Sequence, residues 1–161
     1  MRVWVIAAIC LVAACGQGGE QAKAPEAPPA VIAPAPLTQE ETNSRRIADL
    51  LALNGAIQAY HAAHGSYPVS PGHGFSTEIP GLAPQFIQQI PPEPSGNTDP
   101  NGPQYRYASN GTDYKLIVHG VSGEATCGAF VERDGVRIDP MRTRDGQCWA
   151  YGFWTEGYRE L

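Results

Sequence analysis

Between residues 47 and 60 the apolar positions follow a helical period. Ile47, Leu50, Leu51, Ile57 and Tyr60 stand three, four and seven apart, which gathers them into one stripe on a helix. The ends of that helix are also written locally. Thr38 offers a hydroxyl to the first turn, and Glu41, three residues on, reaches back to it, which is the pattern of a capping box. Glu40 and Glu41 suit the positive end of the helix dipole, His64 suits its negative end, and Gly65 stops the element. The segment is about 26 residues long and so makes a rod of roughly 40 Å. Gly55 in its interior costs about 1 kcal/mol relative to Ala, a loss that a close helix–sheet contact would explain.

The helical period lapses after Gly65. Ser66 to Gly102 is rich in Pro and Gly and reads as a loop with at most one helical turn, near Pro84 to Gln89. The period then becomes two. Tyr105 and Tyr107 alternate with Arg106 and Ala108, and Tyr114, Leu116 and Val118 repeat the pattern after Asn110-Gly111, so the two runs predict a hairpin with a tight turn. Further strands are expected near Cys127 to Glu132 and from Trp149 to Trp154. One long helix followed by antiparallel strands gives an α+β class, with the helix laid on one face of a small sheet. Alternation places Trp149, Tyr151 and Phe153 on one face, where they would complete the core, and Trp154 on the other. The alternative is an aromatic platform, using Trp154 or Tyr158, for a sugar or a peptide.

The other end of the chain has no such periods. Ala24 to Leu37 holds five prolines and five alanines in 14 residues, and proline's fixed φ and missing donor keep such a segment out of helix and sheet. Ahead of it, Arg2 precedes an uninterrupted apolar or small run from Val3 to Ala14, which has the form of a secretory signal and is too short for a permanent span. Of 161 residues, 17% are charged, with a net charge of −5 and no basic cluster, so a nucleic-acid partner is not expected.

Val12-Ala13-Ala14-Cys15 resembles the lipobox of bacterial lipoproteins. The resemblance implies that residues 1–14 are removed as a signal peptide and that Cys15 carries a diacylglycerol and a further acyl chain. Residues 15–37 then form a tether, and Gly16 favours the outer membrane. Several acyl chains, at about 0.8 kcal/mol per buried methylene, hold such a domain on a bilayer. In an exported chain the remaining thiols, Cys127 and Cys148, are expected to pair as a disulfide. Closing the loop between them contributes about 3 kcal/mol. A redox-active pair would call for the Cys-x-x-Cys spacing that these residues lack.

A second resemblance covers residues 45 to 119. Ala56-Ile57-Gln58-Ala59-Tyr60, Gly65-Ser66-Tyr67-Pro68, Ile90-Pro91-Pro92-Glu93-Pro94, Tyr105-Arg106-Tyr107 and Tyr114-Lys115-Leu116 resemble the soluble head of type II secretion pseudopilins and type IV pilins. In that family a helix ending in a G-x-Y-P turn precedes a loop and an antiparallel sheet, and a C-terminal disulfide loop is common. The family's peptidase site and polymerising helix have no counterpart before Thr38, where a lipid and a tether stand instead. Residues 38–161 are therefore expected to form a pilin-like domain acting as a non-catalytic binding or assembly component in the envelope, with a protein partner there.

Candidate chemistry is sparse. His61, His64 and His73 are the imidazoles that could ligate zinc, but no metal or other cofactor is expected. Asn97 to Gly102 imitates the start of a calcium loop, yet position twelve is Ala108 where a bidentate Glu is required, so a turn is expected. Asp134, Asp139 and Asp145 are acidic residues of the C-terminal loop that would suit calcium without forming a motif. No nucleophile elbow, phosphate loop or paired-carboxylate signature is present. An envelope enzyme would have to gather its groups from these histidines or from that acidic loop.

Overall fold

A computed structural model of the chain describes residues 35–121, 134–144 and 147–161. The expected signal peptide, Cys15, the expected tether as far as residue 34, the strand expected at 127–132, Cys127 and Asp145 lie outside the described residues. Helix α1 runs Gln39–His64, with Thr38 as its N-cap. The capping box is complete: the Glu41 amide donates to Thr38 Oγ1 at 3.2 Å and the Thr38 amide donates to Glu41 Oε2 at 2.8 Å. Hydrogen bonds from the Thr38 amide and hydroxyl hold the Glu41 carboxyl below its usual pKa. Gly65 closes the helix in the left-handed region at φ 73°, its amide donating to His61 O.

Six strands follow among the described residues: β1 Gln104–Ser109, β2 Tyr114–His119, β3 Arg137–Ile138, β4 Thr143–Arg144, β5 Gln147–Cys148 and β6 Ala150–Trp154. They form an antiparallel four-stranded sheet in the order β1-β2-β6-β3, beside a two-stranded β4-β5 ribbon. The architecture is α+β, one helix on a small antiparallel sheet. The first hairpin stands where the alternation put it, but Ser109 pairs with Tyr114, so the connection is four residues long. Asn110 Oδ1 accepts the Thr112 and Asp113 amides at 2.9 and 2.8 Å, and Gly111 takes the positive φ of 93°. The Asn side chain thus makes an Asx turn within a longer loop.

One sheet face receives the helix. Ile47, Leu50, Leu53, Ala56 and Ile57 pack with Tyr105, Tyr107, Tyr114, Leu116, Val118, Tyr151 and Phe153. Leu53, which lies outside the stripe drawn from spacing, is fully buried, while Leu51 and Tyr60 are only half-buried at the edge. Full burial of a Leu or Ile side chain contributes about 1.5–3 kcal/mol. The strand tyrosines add polar ties at their tips. Tyr105 Oη donates to Asp49 at 2.9 Å, Tyr114 Oη donates to Asn54 Oδ1 at 2.6 Å, and Tyr107 Oη donates to the Pro68 carbonyl at 2.9 Å. Burial pushes the Tyr114 phenol up to about 12, and burial together with Asp49 raises that of Tyr105, so both remain donors.

The long loop is fastened to the same helix. Arg46 Nε lies 2.7 Å from Glu93 Oε1 with both side chains buried, and Arg46 Nη1 donates to Asn43 Oδ1 at 2.9 Å. The helical turn expected near Pro84 to Gln89 does not form; the chain makes a hydrogen-bonded turn about the cis Ala83–Pro84 bond, the Phe86 amide donating to Leu82 O at 2.9 Å. Gly152 meets a tighter constraint: a Cβ there would lie 2.0 Å from Leu116 O on the neighbouring strand.

Gly55 departs from the close contact its position suggested. It is exposed, and a Cβ would meet nothing within 4 Å. No packing offsets its backbone entropy, so Gly55→Ala is expected to raise stability by about 0.5–1 kcal/mol. Urea denaturation of the full chain checks this by an unchanged slope and a higher midpoint.

Candidate functional site

The second sheet face determines where a site is built. Alternation that sends Tyr114, Leu116 and Val118 to the helix sends Lys115, Ile117 and His119 to the back, with Trp154, Gly152 and Ala150 opposite them on β6. Lys115 and Asp139 are both fully buried, and Lys115 Nζ donates to Asp139 Oδ1 at 2.9 Å. Its other partners are the Arg159 and Leu161 carbonyls at 2.9 and 3.0 Å, which draws the residues after the last turn over the back of the sheet. Burial lowers the Lys115 pKa, and the hydrogen bond to Asp139 opposes that shift.

Asp139 organises the neighbouring turn. It accepts the Met141 amide at 3.0 Å and Arg142 Nη1 at 2.8 Å, and its own carbonyl accepts Thr143 Oγ1 at 2.8 Å. The turn Pro140–Arg142 is thereby fixed against the sheet, with the Asp139 amide donating to Ala150 O at 3.0 Å. The Trp149 amide donates to Arg142 O at 2.8 Å, while Trp149 O accepts the Gly120 amide at 3.0 Å. These bonds bring the end of β2, the 140–143 turn and the bend before β6 together around a cavity of about 350 Å³ lined by His119, Met141, Arg142, Thr143 and Trp149.

Trp149 therefore does not complete the core as alternation predicted. It sits at the bend between β5 and β6, the strand proper begins at Ala150, and its side chain is 38% exposed. Tyr151 and Phe153 do join the core. Trp154, one of the two residues suggested as a platform, is buried beneath the Arg137 guanidinium, which lies 4.2 Å over the ring, and Tyr158 is half-buried. His119 Nδ1 is buried without a hydrogen-bond partner. Its burial, with Arg106 and Arg142 nearby, lowers its pKa from the usual value.

The other suggested chemistry is dispersed. His61 stacks on Tyr67 at 4.3 Å and His64 on Tyr60 at 4.1 Å, while His73 is an exposed loop residue. Among the described residues no three His, Cys, Asp or Glu side chains converge as a metal site. Asn97 to Gly102 folds as Asx turns, Asn97 Oδ1 accepting the Asp99 amide and Asp99 Oδ1 the Asn101 amide. Asp134 is exposed, and Asp139 is committed to Lys115 and Arg142, so these two are not joined as calcium ligands. Cys148 is buried and disulfide-bonded; Cys127, its expected partner, lies outside the described residues. A second groove of about 820 Å³ runs along the start of α1, between Leu37, Ser44, Arg45 and Ala48 on one side and Pro92 and Pro94 on the other.

No family model matches the chain, no curated protein matches its sequence, and no solved structure matches its fold. The chemistry of the back face therefore rests on its own geometry.

Two outcomes test this geometry. Asp139→Ala leaves the Lys115 ammonium buried without its counter-ion and is expected to cost about 3–5 kcal/mol; adding Lys115→Met should recover most of the loss, and a double-mutant cycle in urea measures it. Because the folded-state pKa of His119 is lowered, the unfolded chain binds the extra proton first. Stability should therefore fall as pH drops below about 6.5 towards the folded pKa. His119→Gln should flatten that part of the denaturation profile and leave the neutral-pH slope unchanged.

Proposed function

We propose that this chain is a lipid-anchored, pilin-like head that works by contact, as a binding or assembly component of the bacterial cell envelope linked to type II secretion or type IV pilus systems. The observation that carries the reading is a single long capped helix lying across antiparallel strands, joined to them by the segment whose residues resemble the pilin turn. In that segment Gly65 ends α1, the Tyr67 amide donates to Gly111 O at 2.8 Å in the first hairpin, and Pro68 O receives the Tyr107 hydroxyl. The Tyr67 ring packs 4.5 Å from that of Tyr114. The G-x-Y-P motif thus fastens the helix end to the sheet.

The outward face of α1 favours docking in this reading. Ala48, Ala52, Gly55 and Ala59 are exposed at steps of four, three and four, a strip narrow enough for another helix to approach closely. Cys15 supplies the membrane attachment, and the Pro/Ala tether lets the head stand away from the lipid surface.

Cys15→Ser is expected to shift the protein from the membrane to the soluble fraction and to abolish labelling by a clickable fatty-acid analogue. Labelling that persists in the variant overturns the anchor. For the partner, cross-linked capture from detergent-solubilised envelopes should recover secretion or pilus subunits with the native chain and lose them with Ala52→Arg/Ala59→Arg. Equal recovery by both overturns the helix face as the contact.

A further inference from the structure

Exposed apolar side chains scattered singly need no explanation, but two on one cavity do. Met141 and Trp149 are 53% and 38% exposed and share the 350 Å³ cavity on the back of the sheet. The volume is at the lower end of the roughly 300–1,000 Å³ of small-ligand sites, and the mix of an apolar floor with a few polar groups is characteristic of them. Its polar side is short of acceptors. Arg142 uses Nη1 for Asp139 and Leu161 O, and its remaining nitrogens carry no hydrogen bond among the described residues. His119 Nδ1, on the cavity wall, is buried with no partner, a condition that costs about 1–3 kcal/mol.

The charges point the same way. Arg106 from β1 and Arg142 from the 140–142 turn face His119, and the opposing carboxylate there is Asp139. That carboxylate is already engaged by Lys115 and Arg142. Among the residues that line the cavity Arg142 is the charged one, so the wall offers a cation on a chain whose net charge is −5. The site therefore suits a ligand that brings a carboxylate to Arg142 and a flat C–H face to the indole. An acidic amino-acid side chain brings the first without the second, whereas the pyranose ring of a uronic acid brings both, with a hydroxyl for the unpaired nitrogen.

We propose that the cavity bounded by His119, Met141, Arg142, Thr143 and Trp149 binds a carboxylate-bearing saccharide, with one sugar ring stacked on Trp149 and its carboxylate turned to Arg142. The proposal stands on the back face alone and does not depend on the pilin-like reading.

The test uses the full chain, isotope-labelled in detergent micelles, with the Trp149 indole N–H signal assigned by its loss in Trp149→Phe. Methyl glucuronide is expected to shift that signal saturably, and methyl glucoside, which carries a hydroxymethyl group in place of the carboxylate, to bind roughly tenfold more weakly, the size of one charge-assisted hydrogen bond. Aromatic-to-aromatic Trp149→Phe should retain part of the affinity, read on the Thr143 amide, and Trp149→Ala should lose it with circular dichroism unchanged. Because the hydroxyls are common to both sugars, His119→Gln should weaken both alike and leave the ratio between them unchanged. Equal binding of the two sugars, no shift up to the solubility limit of the glucuronide, or a shift produced instead by a short Asp/Glu peptide overturns the proposal.

Discussion

Strand β2 is enclosed on both sides, and that constraint governs the rest of the structure. Residues 114–118 are all buried, although alternation gives the strand two different faces. The helix side is apolar with hydroxyl tips, which a single amphipathic helix can cover. The other side presents the Lys115 ammonium, and an ammonium out of water must have an anion and further acceptors. Asp139 and two carbonyls from the end of the chain meet that need. The turn that carries Asp139 then stands beside His119 and forms one wall of the cavity with Met141 and Arg142. A single cation in a buried strand thus determines where Asp139, Arg159 and Leu161 must lie.

The elements legible in the sequence are those decided within a few residues. Thr38 and Glu41 mark the start of α1, Gly65 marks its end, and the Tyr-x-Tyr and Tyr-x-Leu runs mark β1 and β2. The contacts that escape a local reading depend on partners far along the chain. Tyr105 and Asp49 are 56 residues apart, Arg46 and Glu93 are 47 apart, and Lys115 and Asp139 are 24 apart. Strands β3, β4 and β5 have two residues each, too few for a period of two to register. The buried cation alone has a local mark: a lysine flanked by Tyr114 and Leu116 and followed by Ile117 sits in a run with no polar neighbour to keep it wet.

The candidate site divides along the same line. Its aromatic, Trp149, is conspicuous by type, but alternation assigns it to the core because the bend before β6 has no local mark beyond its hydrogen bonds to Arg142, Gly120 and Val121. Its basic groups are not conspicuous, since His119 ends β2 and Arg142 lies in the 140–142 turn, and they meet only when backbone bonds to Ala150 and Trp149 hold that turn against the sheet.

The capping box bears on the history of such a chain. Thr38 and Glu41 satisfy each other's amides from within the helix's own first turn. Those two amides therefore need no partner from whatever is spliced ahead of residue 38. A gene that exchanged one leader for another at this junction would find the folded body ready to accept it, so a self-sufficient helix terminus is where modular shuffling has least to disrupt.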